Sequence, residues 1–295
     1  MRSAMGRGVL ALVGATLFWA GNYVLGKVAV ETISPFSLTT LRWALALLPL
    51  IALAQAVERP DWRDLLRHWR FLTLQAATGL AGYTLFLYAA LEHSTAFAAS
   101  LINAANPALI AIAAAVLLHE RLGFRGGAGI LVAFVGVLVL LTHGHPTAMT
   151  GTTYGAGDVF MLGAIVAWTA YTVAARMGPK LPPISAVAVQ AGLVTVVLGA
   201  LVPVVGLDLP GTGPALWSLL FIVVFPSCGS YVLWAYALTV VPPARAGVFL
   251  NLITAFTAVA ALVTGTPITA AEVVGGVIVL VGVTLTVRSP ARAGT

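Results

Sequence analysis

Residues 8–30 read GVLALVGATLFWAGNYVLGKVAV, with Lys27 as the single charge in the run. A helix that crosses a bilayer needs about 20 mostly apolar residues. The apolar core of a removable signal is shorter, about 7–15 residues. The run therefore predicts a membrane-spanning helix rather than a cleaved leader. Nine more stretches pass the same test: 36–57, 71–91, 95–118, 125–142, 155–176, 183–205, 214–238, 243–264 and 269–288. Pro35, Pro183, Pro214 and Pro243 stand at or beside the start of a span, where a missing N–H costs nothing. A transmembrane β-barrel would show segments of about ten residues alternating in polarity, and the sequence has none.

Composition agrees with the spans. Of 295 residues, 60% are hydrophobic and 8% charged, whereas soluble domains run near 45–50% apolar and about 25% charged. Mean hydropathy is +1.02. Fifteen basic and nine acidic residues cannot solvate the surface of a soluble protein this apolar. The net charge of +6 lies between apolar runs, so it reads as a topology signal and not as a nucleic-acid footprint. The single cysteine, Cys228, excludes an intrachain disulfide and a Cys-rich metal site.

With ten spans, thirteen cations fall on one side: Arg2, Arg7, Arg59, Arg63, Arg67, Arg70, Arg121, Arg125, Arg176, Lys180, Arg245, Arg288 and Arg292. The other side has only Lys27, and Arg42 lies inside span 2. The positive-inside rule then places both termini in the cytoplasm. Between spans 2 and 3, Trp62, Leu65, Leu66 and Trp69 recur at helical spacing among arginines, which predicts a short interfacial amphipathic turn or helix.

The two halves repeat. Gly14 and Trp19 recur 149 residues on as Gly163 and Trp168. Tyr83, Tyr88, Ala89 and Asn103 recur after 148 as Tyr231, Tyr236, Ala237 and Asn251, and Gly129 and Gly136 after 146 as Gly275 and Gly282. A slowly drifting offset is what duplication followed by small deletions leaves. Five helices per copy is an odd number, so the second copy must enter the membrane from the opposite face. The predicted fold is an all-α polytopic membrane protein of ten transmembrane helices, arranged as two inverted five-helix repeats around a central cavity. Its parts are a first repeat at 1–142, a periplasmic linker at 143–154, an inverted repeat at 155–288 and a cytoplasmic tail at 289–295.

Several stretches resemble the drug/metabolite transporter superfamily, in its EamA-type ten-helix form. They are Phe18-Trp19-Ala20-Gly21-Asn22-Tyr23, Pro35-Phe36 through Arg42-Trp43, Tyr88-Ala89-Ala90-Leu91, and Asn106-Pro107 through Glu120-Arg121-Leu122, followed by a Gly-rich span 5. Within the superfamily the chain looks most similar to bacterial amino-acid exporters of the YddG type. The resemblance implies export from the cytoplasm through a central cavity lined by spans 1, 3, 4, 6, 8 and 9. The second half departs from the pattern, since Thr266-Pro267-Ile268 stands where Glu-Arg-Leu would recur.

Independently of that resemblance, mid-span polar and aromatic residues mark a candidate substrate site. Trp19, Asn22 and Tyr23 share one face of span 1, and Trp168, Tyr171 and Thr172 repeat the spacing on span 6. Tyr83 on span 3 answers Tyr231 on span 8, with Trp234 one turn beyond. Asn103 and Asn106 share a face of span 4, and Asn251 answers Asn103 on span 9. Tryptophan and tyrosine ordinarily favour the headgroup level, so at mid-span they face protein or a cavity. Lys27 and Arg42 could draw a substrate carboxylate or act at a gate; the plainer alternative is helix-end anchoring. Pro107 cannot donate to the Asn103 carbonyl, nor Pro226 to that of Ile222, which marks both as hinge candidates. Asp158 sits at a helix start, where the macrodipole favours a carboxylate. Glu92 and His93 fall in the turn between spans 3 and 4, and Glu120 pairs with Arg121 or Arg125. No acid lies at mid-span, so an obvious proton relay is missing, and a facilitator or exchanger is favoured. Spans 5 and 10, with glycines seven apart, read as scaffold or as a homodimer contact.

The expected partners are an amino acid or other small amphipathic metabolite and membrane lipid, with no nucleic acid, cofactor or metal. The expected function is export of such metabolites by alternating access, with a broad drug or other-metabolite exporter, with or without proton coupling, as the alternative. A membrane enzyme fits less well. The histidines, 68, 93, 119, 143 and 145, all lie in loops or at helix ends, so neither a buried Ser–His pair nor a mid-membrane zinc site is available.

Overall fold

The computed structural model describes residues 2–119, 123–144, 155–241 and 249–287. Glu120, Arg121, Pro243, Arg245, His145, Arg288, Arg292, most of the linker and the tail lie outside the described residues.

The described chain is helical. We number the main helices α1 (Arg2–Ala29), α2 (Pro35–Val57), α3 (Trp69–His93), α4 (Ala96–Leu117), α5 (Phe124–Leu141), α6 (Ala156–Met177), α7 (Pro183–Val205), α8 (Pro214–Val240), α9 (Leu252–Thr264) and α10 (Ala270–Val287). The first eight are long and apolar enough to cross a membrane, and two shorter apolar helices stand where spans 9 and 10 are expected. Pro35, Pro183 and Pro214 each occupy the first turn of their helix. The interfacial helix is only Trp62–Arg67, capped by Asp61, whose carboxylate accepts from the backbone N–H of Arg63 and Asp64. Trp69 already belongs to α3, because His68 breaks the helix between them.

Three helices are interrupted. In α3 and α8 the backbone widens into π-helical turns at Ala76–Gly82 and Phe225–Gly229. Pro226 explains the second. Its ring leaves the Ile222 carbonyl without its usual donor, and the Ser227 hydroxyl donates to that oxygen at 2.7 Å. No proline marks the equivalent turn in α3. In α4, Pro107 does not bend a continuous helix as the sequence implies. The helix stops at Asn103, turns through Ala104 and Ala105, and restarts at Asn106 with Pro107 in its first turn. Leu250 and Asn251 form a comparable turn before α9. In a membrane, such breaks are tolerated where they line a cavity or are buried in protein.

The packing has a regular plan. α1 packs against α8 and α9, and α6 packs against α3 and α4; α2 packs on α7, and α5 on α10. Exchanging each helix for the one five places along maps this set of contacts onto itself. The α5–α10 contact is the most extensive, and it consumes the glycine faces. A Cβ on Gly129 would lie 2.6 Å from the Gly282 carbonyl oxygen, and one on Gly136 would lie 2.6 Å from the Val279 nitrogen. Gly275 faces Gly136, and Gly282 faces Gly129 and Ala133. The glycines thus serve the scaffold within one chain, by allowing backbone-to-backbone approach.

α2 and α7 cap one another at opposite ends of the bundle. Glu58, just past α2, accepts from the backbone N–H of Ile184 (2.9 Å) and Ser185 (2.8 Å) and from the Ser185 hydroxyl, at the start of α7. Asp208, just past α7, accepts from Ser34 N–H (3.1 Å) and the Ser37 hydroxyl (3.2 Å), at the start of α2. Each carboxylate meets the unsatisfied N–H groups and positive dipole end of the other helix. The hydrogen bonds from Ser34 hold the Asp208 carboxyl below its ordinary value of 3.8.

Candidate functional site

The interrupted helices meet around a central cavity of about 800 Å³ of empty space, its opening included. Its wall holds Trp19, Asn22 and Tyr23 from α1, Tyr83 from α3, Asn103, Asn106 and Pro107 from α4, Trp168 from α6, Tyr231 from α8 and Asn251 beside α9. Nine of the eleven substrate-site candidates are therefore brought together.

The other two stand one ring behind the wall. Trp234 lies 5.3 Å from Trp19 between ring centroids, and Tyr171 lies 5.1 Å from Trp168. The tryptophans are embedded reciprocally. Trp19 of the first half meets Tyr231 of the second edge-on at 6.3 Å, and Trp168 of the second half meets Tyr83 of the first at 5.0 Å. Gly79, in the π-helical turn of α3, makes room for the Tyr171 ring. The Tyr23 and Tyr83 hydroxyls bond at 2.9 Å. Asn106 is held by α6, its Oδ1 accepting from Thr169 at 3.4 Å and its Nδ2 donating to the Ile165 carbonyl at 3.5 Å. The Asn103 amide has no protein hydrogen bond among the described residues, and the residue lines the cavity.

The two cations part company. Lys27 is not on the wall. Its ammonium donates to the Leu91 carbonyl at 2.7 Å, at the end of α3, where the macrodipole favours a cation. Arg42 lines the cavity, is 4% exposed, and brings α2 into a wall that sequence reading assigned to six other helices. Its Nε donates to Ser227 Oγ at 2.8 Å, and its Nη1 to Tyr88 Oη at 2.8 Å and Asn22 Oδ1 at 3.1 Å. Tyr88 in turn donates to Asn22 Oδ1 at 2.9 Å. Within the protein Arg42 is thus held by a side-chain carbonyl and two hydroxyls, not by a carboxylate. Trp43 and Thr84, also on the wall, are an aromatic and a polar residue that sequence reasoning missed. The weak signal for Trp43 is its place next to Arg42, whose guanidinium carbon lies 4.7 Å from the indole centroid.

Asp158 lies in the first turn of α6, as its position implies, and does not line the cavity; among the described residues neither does any other Asp or Glu. The cavity wall can stack rings, donate and accept neutral hydrogen bonds, and present one positive charge.

An all-helical multi-pass membrane protein whose interrupted helices enclose an aromatic, amide-rich cavity is the architecture of a solute carrier. The profile of the EamA-like transporter family matches residues 6–142 and again 155–288. The chain belongs to that family. It is similar to the uncharacterized transporter YyaM of Bacillus subtilis, 25% identical over 278 residues that cover 93% of this chain and 91% of the relative. An uncharacterized transporter of Archaeoglobus fulgidus is 26% identical over 287 residues, with 94% and 96% covered. A probable terminal-alkyne amino-acid exporter of Streptantibioticus cattleyicolor is 29% identical over 242 residues, with 79% and 77% covered. A solved crystal structure at 21% identity shares the fold, with a TM-score of 0.66 over 96% of this chain and 97% of its own.

Proposed function

We propose that this transporter exports amino acids, aromatic ones included, across the bacterial inner membrane by alternating access. In this reading all ten helices cross the membrane, as two inverted five-helix repeats with both termini cytoplasmic. The self-mapping contact plan and the doubled family match support the duplication. Pro107 and Pro226 mark the segments that move.

One observation carries the substrate assignment. The wall combines three tryptophans and three tyrosines with four asparagines and a single cation, and no acid among the described residues. Indole and phenol faces suit an apolar or aromatic side chain. Amide carbonyls and hydroxyls suit an ammonium, and a cation suits a carboxylate. The relative named as a probable amino-acid exporter points the same way. The predominance of rings also fits a second reading, a broad exporter of drugs or other metabolites.

Purified protein in liposomes, screened against the twenty amino acids with and without a pH gradient, tests the proposal. Saturable counterflow of aromatic or branched amino acids is expected. Flux of many uncharged amphiphiles with none of amino acids would favour the second reading, and single-channel conductance would overturn both. A reporter active only in the cytoplasm, fused after residue 295, should be active; silence in a well-expressed fusion would overturn the orientation.

A further inference from the structure

Arg42 stands two turns beyond the Ser34 cap of α2, among the residues that line the cavity. A guanidinium cannot shed its charge in a protein, and a buried charge is costly unless it is paired or fully hydrogen-bonded. Here the partners of Nε and Nη1 are all neutral. Nη2 has no protein partner among the described residues. It is also not sealed in, because the enclosed side-chain atoms that lack partners are Thr39 Oγ1 and Gln190 Oε1. Arg42 therefore keeps one edge of its guanidinium for the cavity, and its other edge is braced by three other helices.

The second half of the chain does not repeat this charge. Pro183 and Ser185 stand 148 residues after Pro35 and Ser37, and at the same offset Gln190 stands for Arg42. Gln190 is buried and does not line the cavity. The braced cation is thus single and asymmetric, in a wall where Trp19 and Trp168, Tyr83 and Tyr231, and Asn103 and Asn251 are paired across the two halves.

We infer that Arg42 Nη2 anchors a substrate carboxylate, so that the cavity selects solutes bearing one carboxylate over their amides, esters and decarboxylated amines. The inference rests on the cavity being the transport site and adds its charge selectivity. A carboxylate there completes the donor set of the guanidinium with charge-assisted hydrogen bonds. An amide presents a neutral acceptor and brings two N–H donors that face a cation. The neighbouring hydroxyls and amide hold the guanidinium plane in place, so its geometry is preset before substrate arrives.

Two matched pairs test this: 3-phenylpropanoate against 3-phenylpropanamide, and L-phenylalanine against L-phenylalaninamide. Binding is read as thermal stabilisation of the purified protein, and flux as competition in liposomes. Wild type should bind each acid at least about tenfold more tightly than its amide, since a site built for a polar partner rejects the analogue lacking it. Arg42→Gln, which installs the residue of the second half, should bring each ratio to within about twofold. Arg42→Lys should recover part of the preference, because it keeps the charge but loses the planar fork. Should Arg42→Gln fail to fold, the wild-type ratios and the Arg42→Lys shift still decide. A wild type that separates neither pair overturns the inference, as does a folded Arg42→Gln that keeps the wild-type ratios. Arg42-dependent binding of 3-phenylpropanoate without flux of any amino acid would sink the amino-acid reading and leave the anchor standing. Amino-acid flux indifferent to Arg42 would do the reverse.

Discussion

Trp19 and Trp168 are the residues on which the site turns. They occupy equivalent places in the two halves, each half-buried on the cavity wall and each braced by a tyrosine from the opposite half. If they stack on substrate, Trp19→Ala and Trp168→Ala should each weaken it several-fold to about tenfold, because such contacts are worth about 0.5–1.5 kcal/mol beyond area burial. Aromatic substrates should suffer more than alanine, and Trp→Phe should retain more activity than Trp→Ala. Purely packing tryptophans behave otherwise, since truncation in a core costs about 3–5 kcal/mol of stability. Melting temperature and flux of three substrates, measured on both alanine variants, separate the two roles. Normal transport by both variants removes these residues from the site.

At the scale of elements, the α5–α10 seam and the α2–α7 caps do different work. Gly→Ala inside a helix ordinarily stabilises by roughly 0.5–1 kcal/mol. Gly129→Ala and Gly136→Ala should instead destabilise, because the new methyl meets backbone atoms 2.6 Å away that cannot yield. Gly199→Ala on α7, with nothing within 4 Å of the added methyl, is the control and should be neutral or stabilising. Thermal melts of the three variants decide; an unaffected Gly136→Ala would mean that α5 and α10 do not approach as described. The cap at Asp208 adds a pH signature. Its folded-state carboxyl titrates below 3.8, so its stabilisation is fully present above that value and fades as pH falls through the lower one. Asp208→Asn should therefore melt below wild type at pH 7, and the gap should narrow as pH drops below 3.8. A gap that is constant with pH would show that the charge is not what matters.

For the whole molecule, the contact plan separates a joint from moving parts. The α2–α7 pair is capped at both ends at once, so neither cap is the closed half of a two-sided gate. Rocking of the two halves about this pair is the expected motion. After Cys228→Ser, spin labels at Ser94 and Thr266, in the turns before α4 and α10, should change separation when a transported substrate is added. Labels on Arg59 and Lys180, flanking the Glu58 cap, should hold theirs. Substrate shifts these populations only if it contacts the two states differently. Flux that continues with both distances unchanged would count against rigid-body alternating access.

What this sequence determined by itself is whatever the bilayer enforces locally. A helix in hydrocarbon must satisfy its backbone within its own segment, so apolar runs, proline-marked starts and the break at Pro226 can be read without knowing any neighbour. The repeat offset then brought Trp19, Trp168, Tyr83, Tyr231, Asn103 and Asn251 to attention as a set, and all six line the cavity. The tertiary structure alone decided matters that depend on groups far apart in the chain. Lys27 and Arg42 look alike in sequence, yet one ends on the Leu91 carbonyl and the other on the cavity wall, because different helices stand opposite them. The π-helical turn of α3 carries no proline to announce it. Glu58 and Asp208 read as ordinary loop acids until the helix ends that they cap are brought within hydrogen-bonding reach. Trp43 joins the wall beside Arg42, which is held by Asn22, Tyr88 and Ser227, residues 20, 46 and 185 positions away. Hydrogen bonds and ring contacts at such separations depend on which helix faces come together, and nothing in the local pattern of any one helix encodes that.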